Sequence, residues 1–156
     1  LLSLSNESEL SITGAGTTAL ENIRIGNNNA HPELSVTDGS TLSVTTTSGT
    51  TAATDTANNA INLRGDDPKT TITDGSELKV SVNSGARRGL SLNGNNAELT
   101  VTDSQLDVVT VSGETLNLTG ISPKMTLNKS KSRIDSTTGQ RINLSGSEPT
   151  LTMKNS

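Results

Sequence analysis

Aliphatic residues recur along this chain in short triplets in which one polar residue separates two apolar ones. A phrase of two triplets occupies residues 34–44, returns at 70–80 and returns one residue shorter at 99–108. Successive side chains of a strand point to opposite faces, so each triplet predicts a short strand with one buried face. A third triplet follows each phrase, as in Ile61-Asn-Leu63-Arg-Gly65.

The triplets repeat in a fixed order, which predicts one coil for each copy. Antiparallel hairpins are the rival arrangement, because Asp-Gly favours them, but they do not explain a recurring phrase of three strands. The sequence therefore predicts an all-β parallel β-helix with three short strands per coil and about five coils. It occupies residues 1–156 as a single repeat domain, which we expect to be a fragment of a longer protein. The coils start near Leu2, Leu34, Thr70, Leu99, Met125 and Leu151.

Stacked coils turn equivalent residues into columns. The starting residues form the first inward column, and the residues two positions later form a second. The third strand adds two more inward columns, led by Ile23 and Ile25. All four prolines lie two residues before a coil start, which places them at a corner that enters a strand. They are Pro32, Pro68, Pro123 and Pro149.

Composition removes several classes of function. The 156 residues include no Phe, Tyr, Trp or Cys, and the net charge is −4. These counts argue against disulfides, aromatic stacking platforms and the basic surfaces that nucleic acids or anionic membranes require. No segment is apolar enough for a membrane helix, so we expect neither nucleic-acid binding nor membrane insertion.

An outward column of hydroxyl residues follows the first strand of each coil. β-Branched polar residues suit an exposed parallel strand, and this is the simpler explanation. The alternative is a flat hydroxyl array that binds ice. Its candidate residues are Thr71, Thr73, Thr100, Thr102 and Thr126.

A turn column carries three carboxylates, Asp38, Asp74 and Asp103, about 4.8 Å apart if the coils stack. Turns in which each Asp accepts a backbone N–H explain the column without a ligand. Calcium, which prefers clustered oxygens, is the alternative, and no other cofactor or metal is expected.

Few residues could support catalysis. His31 is the only histidine, Asp66-Asp67 the only acidic pair and Arg87-Arg88 the only adjacent basic pair. No Ser-His-Asp arrangement or partnered carboxylate pair is evident. We therefore expect no enzymatic activity and no catalytic residues, with a degenerate or partial polysaccharide lyase as the alternative.

The phrase Leu-Ser-Val-Thr-Asp-Gly-Ser-Thr-Leu-Ser-Val at 34–44 and Gly-x-x-Ile-Asn-Leu-x-Gly at 139–146 resemble the pectate-lyase-like adhesive domains of Gram-positive cell-surface proteins. The resemblance implies a right-handed parallel β-helix in an exported, wall-anchored protein that acts in adhesion and biofilm formation. Autotransporter passenger domains share this architecture and remain an alternative.

The expected function is therefore that of a non-catalytic adhesin or stalk segment at the bacterial cell surface. Its partner would be a host or cell-surface glycan or protein, and uncapped ends could associate end to end. Variable loops at 14–22 and 50–60 are the expected contact regions, because loops vary while the coil is fixed. The binding candidates are Thr50, Thr51, Thr54, Asp55, Thr56, Asn58 and Asn59.

Overall fold

A computed structural model describes residues 1–15, 22–26, 30–48, 59–83 and 88–156. All sixteen elements of these residues are β-strands, and they form three parallel sheets. Sheet A contains β1 (Leu2–Leu4), β4 (Glu33–Val36), β7 (Lys69–Ile72), β10 (Glu98–Thr102), β13 (Lys124–Asn128) and β16 (Thr150–Lys154).

The other two sheets contain five strands each. Sheet B contains β2 (Glu9–Ala15), β5 (Thr41–Ser48), β8 (Glu77–Val82), β11 (Gln105–Thr110) and β14 (Lys131–Ser136). Sheet C contains β3 (Ile23–Ile25), β6 (Asn59–Arg64), β9 (Arg88–Asn93), β12 (Leu116–Thr119) and β15 (Ile142–Ser145). Each strand pairs with the equivalent strands of neighbouring coils, so the predicted parallel β-helix with three strands per coil is confirmed.

The strand register agrees with the predicted columns residue by residue. Leu2 pairs with Leu34, Leu34 with Thr70, and Thr70 with Leu99. The same column continues through Met125 to Leu151. The apolar repeat therefore fixes the stacking of the coils, because a slip by one residue would turn every aliphatic side chain outward.

Aliphatic residues from all three sheets fill the interior. In the central coils Leu78, Leu90, Leu99 and Leu116 are fully buried. The first inward column has one polar member, Thr70, which is fully buried and whose hydroxyl has no hydrogen-bond partner. The last coil is more exposed than the centre, and Leu151 retains 47% of its accessible surface.

The corner between sheets A and B depends on left-handed backbone. One residue at each copy of this turn has φ between +47° and +61°, a region that Asn and Asp adopt more readily than other non-glycine residues. The column contains Asn6, Asp38, Asp74, Asp103, Lys129 and Asn155. The expectation that each Asp caps a backbone N–H is wrong for Asp38 and Asp74, whose carboxylates accept the hydroxyls of Thr37 and Thr73 at 3.2 and 2.7 Å.

A second feature of this corner is a buried column of serines one or two residues after the left-handed Asp. The backbone N–H of Ser40 donates to Ser76 Oγ at 3.1 Å, and that of Ser76 donates to Ser104 Oγ at 3.2 Å. All three serines are at most 5% exposed. These bonds join successive coils through side chains, in addition to the backbone ladder.

The corner between sheets C and A requires glycine and proline. A Cβ on Gly94 would lie 1.6 Å from the carbonyl oxygen of Gly65, so the coils can approach only without a side chain there. Each of the four prolines directly precedes a strand of sheet A, as predicted. The proline carbonyls still bond to the next coil, since Pro68 O accepts the N–H of Glu98 at 2.9 Å.

Candidate functional site

The outer face of sheet C carries polar residues that are nearly as buried as the core. Asn62, Ser91 and Asn117 alternate with the buried leucines and isoleucines of their strands and therefore point away from the interior. Their exposures are only 3%, 0% and 2%. Buried polar groups require hydrogen-bond partners, so this face must be internally bonded.

A network of amides and hydroxyls meets that requirement. Asn117 Nδ2 donates to Ser91 Oγ at 3.0 Å and to Asn93 Oδ1 at 3.3 Å. Asn93 Nδ2 donates to Asn62 Oδ1 at 2.8 Å and to Ser91 Oγ at 3.0 Å. Asn143 Nδ2 donates to Asn117 Oδ1 at 2.8 Å. We call the residues Asn62, Ser91, Asn93, Asn117 and Asn143 the amide ladder.

A cleft opens beside this ladder. Its volume is about 210 Å³, and among the described residues it is lined by Asn62, Arg64, Arg88 and Asn93. Arg88 is held by an ion pair from its Nε to Glu114 Oε2, and the two side chains are 28% and 23% exposed. Arg64 is exposed and lies next to Asn93 across the β6–β9 pairing. We call these four residues the sheet C cleft.

The sequence did not single out this cleft. Arg88 was noted only as half of a basic pair without a carboxylate partner, and the partner is Glu114, in the next coil. Arg87 lies outside the described residues. The sequence analysis assigned no role to the asparagines of this face, because a strand pattern does not show what covers a face.

Most of the predicted binding-loop residues fall outside the residues that the structure describes. Thr50, Thr51, Thr54, Asp55, Thr56 and Asn58 fall outside the described residues, as does most of the loop at 14–22. Asn59 was wrongly placed in the loop, since it is the first residue of β6 and is fully buried. Ala60 is likewise a buried strand residue. The loop composition continues into the strand, which is why the boundary was missed.

The proposed ice face lies on the outer side of sheet A. Thr71, Thr100 and Thr126 stack in register, and all three are partly exposed. Thr73 directly follows β7 and Thr102 is the last residue of β10, and both are also partly exposed. On this face Thr73 bonds to Asp74 and Thr100 to Glu98, so two of the hydroxyls are directed to carboxylates.

The turn carboxylates are brought into one column, as predicted. Asp38, Asp74 and Asp103 occupy equivalent left-handed positions, and Lys129 continues the column with its Nζ 4.0 Å from Asp103 Oδ1. In the described part of the chain, no group of three or more His, Cys, Asp and Glu side chains could hold a metal ion.

The remaining candidate residues lie outside the lining of the cleft. His31 Nδ1 is 3.3 Å from Asp67 Oδ2, and the two side chains are 73% and 52% exposed. Asp67 also accepts a hydrogen bond from Asn96 at 2.8 Å, while Asp66 is exposed beside it. These residues form a solvated corner. None of the described residues forms a helix that is long and apolar enough to cross a membrane.

Comparison with known proteins identifies no relative: no family model matches the chain, and neither the curated proteins nor the solved structures include a significant match.

Proposed function

We propose that this chain is a segment of a non-catalytic adhesin of the bacterial cell surface, in which a regular solenoid holds one contact side outward. The observation that supports this best is the contrast between its corners. The connections from sheet A to sheet B are short, and none is longer than the one formed by residues 37–40. The longest connection from sheet B to sheet C, residues 49–58, is much longer. Connections that vary in length on a fixed scaffold are the usual arrangement of a binding surface.

We base the proposed location and partner on the resemblance to pectate-lyase-like adhesive domains of Gram-positive bacteria. Three stacked parallel sheets with aliphatic columns are what such a domain requires. We therefore propose an extracellular, wall-anchored protein whose partner is a glycan or protein of a host or cell surface. The partner would contact the side formed by sheet C and the connections that lead into it.

Attachment of beads coated with the intact chain to host cells or immobilised glycans tests the proposal. Residues 50–58 would be replaced by a short Gly-Ser turn, and the replacement must stop before Asn59 because that residue begins β6. We expect an unchanged melting temperature and reduced attachment. A matched control, Thr126→Ala on the outer face of sheet A, should leave attachment unchanged.

Two results would contradict this function. Equal attachment by uncoated beads and by beads coated with the wild-type chain would remove the adhesive role. A rise in ultraviolet absorbance on polygalacturonate with calcium would instead remove the non-catalytic assignment and favour the lyase alternative.

A further inference from the structure

The hydrogen-bonding capacity of the sheet C cleft is unevenly distributed. Both N–H groups of Asn93 are already donated, one to Asn62 Oδ1 and one to Ser91 Oγ. Its carbonyl oxygen accepts from Thr119 Oγ1 at 3.1 Å and from Asn117 Nδ2 at 3.3 Å. The amide ladder is therefore a bonded floor whose geometry is set before any ligand arrives.

The two guanidinium groups supply the charged donors at the cleft. Arg88 uses Nε toward Glu114, which orients the group, and within the described residues no acceptor is bonded to its terminal nitrogens. The side chain of Arg64 makes no hydrogen bond or ion pair within the described residues. Its five N–H donors form a planar fork that matches the oxygens of a carboxylate or sulfate.

The charged side chains that line the cleft are positive among the described residues. Arg64 and Arg88 line it, whereas the neighbouring carboxylates, Glu114 paired with Arg88 and Asp66 close to Arg64, lie outside its lining. Because both N–H groups of Asn93 are occupied, a neutral ligand would find few donors on this residue. An anionic oxygen group would find the strongest donors in the guanidinium groups.

We propose that the sheet C cleft binds the carboxylate or sulfate of an acidic sugar residue. This inference rests on the proposed adhesive function and deepens it by naming the ligand class. The cleft, at about 210 Å³, is of the size of one sugar ring, whereas the carboxylate of a protein side chain would leave much of it empty. Arg64 and Arg88 bind the anionic oxygens, and the ring lies against Asn93, which lines the cleft and is partly exposed.

Titration calorimetry on the intact chain tests the proposal with four probes. Glucuronate and glucose 6-sulfate represent the two sources of the anionic group, glucose is the neutral ring, and acetate is the anion without a ring. We expect binding of at least one acidic sugar and no binding of glucose. Acetate should bind more weakly than the acidic sugar. Whichever acidic sugar binds more tightly identifies the source of the anion.

Variants locate the site. Arg64→Gln should weaken binding of the acidic sugar roughly tenfold or more, because it removes charge-assisted hydrogen bonds. Arg88→Lys keeps the charge but loses the fork, so a smaller loss is expected. Arg133→Gln is the matched control, since Arg133 is an exposed arginine on sheet B with no ion pair among the described residues. It should bind like the wild type.

Four results would overturn the inference. They are absence of heat with both acidic sugars, equal affinity for glucose, equal affinity for acetate, and equal losses in Arg64→Gln and Arg133→Gln. Equal affinity for acetate would favour acidic peptides over sugars. If beads coated with the wild-type chain attach to cells but the chain binds no acidic sugar, only this inference is refuted. If the coated beads do not attach, the adhesive function is refuted instead.

Discussion

The outer faces of sheets A and C are built by the same stacking, yet they differ in how their polar residues are used. On sheet A, Thr71, Thr100 and Thr126 stack in register and stay partly exposed. On sheet C, Ser91 and Asn117 stack in the same way and are at most 2% exposed. Of these two faces, and within the described residues, only that of sheet C joins its outward side chains from coil to coil by repeated hydrogen bonds of amide groups.

This difference shows that an outward position in a solenoid does not by itself mean a solvated one. On sheet A, water can bond to the hydroxyls, so the residue at a given position matters little for folding. On sheet C, the side chains have lost that water and depend on one another. Substitutions on sheet C should therefore destabilise the protein more than equivalent substitutions on sheet A.

The largest expected effect tests the inward and outward assignment itself. Leu99→Asp places an unpaired charge at a fully buried position and should abolish cooperative thermal unfolding. Thr100→Asp, one residue along β10 on the outer face, should change the free energy of unfolding by about 1 kcal/mol or less. Circular dichroism melting curves check both variants, and a normal transition for Leu99→Asp would refute the assignment.

The next effect compares the two outer faces directly. Asn117→Ala removes the acceptor of Asn143 and the donor to Ser91, so it should destabilise the protein by about 1–3 kcal/mol. Thr126→Ala on sheet A should cost under about 1 kcal/mol. Urea denaturation measures both values. Equal losses would show that the amide ladder contributes no more than an exposed strand residue.

A smaller effect, which is a gain in stability, is expected from a substitution on the inner face of sheet A. Thr70 places a hydroxyl without a hydrogen-bond partner in an aliphatic column, so Thr70→Val should stabilise the protein by about 1 kcal/mol. Thr71→Val is the control on the outer face, where the change should be close to zero. A loss of stability in Thr70→Val would mean that the hydroxyl has a bonding role.

The smallest effect concerns the corner between sheets A and B. Lys129 adopts φ +47°, in a column otherwise made of Asn and Asp, so Lys129→Asn should relieve backbone strain. We expect a gain of under about 1 kcal/mol in urea denaturation. Lys131→Asn, which removes the same charge at an exposed position in β14, should bring no such gain.

Much of the fold follows from the repeat alone. The columns that begin at Leu2 and the positions of the prolines each depend on local chemistry that recurs in every coil. Burial of aliphatic residues decides the register, and the missing N–H of proline decides the corner. Even the left-handed column was visible as Asp and Asn at one turn position, although the partners of the Asp side chains were not.

The candidate site could not be predicted in the same way. Ser91 and Thr100 occupy similar places in similar triplets, and only the packing around them decides that one is buried and the other partly exposed. The ion pair of Arg88 with Glu114 joins neighbouring coils across residues far apart in sequence. Asn59 has loop composition but begins a strand, because tertiary pairing with β9 overrides local preference.

Asn62 and Asn117, on the outer face of sheet C, are shielded from water and bonded to other members of the amide ladder. Hydrogen exchange of the side-chain amides, followed by NMR, tests this shielding most directly. The side-chain amide of Asn117, which is 2% exposed, should exchange far more slowly than that of Asn95, which is exposed at the neighbouring corner. Equal exchange rates for Asn117 and Asn95 would contradict the claim.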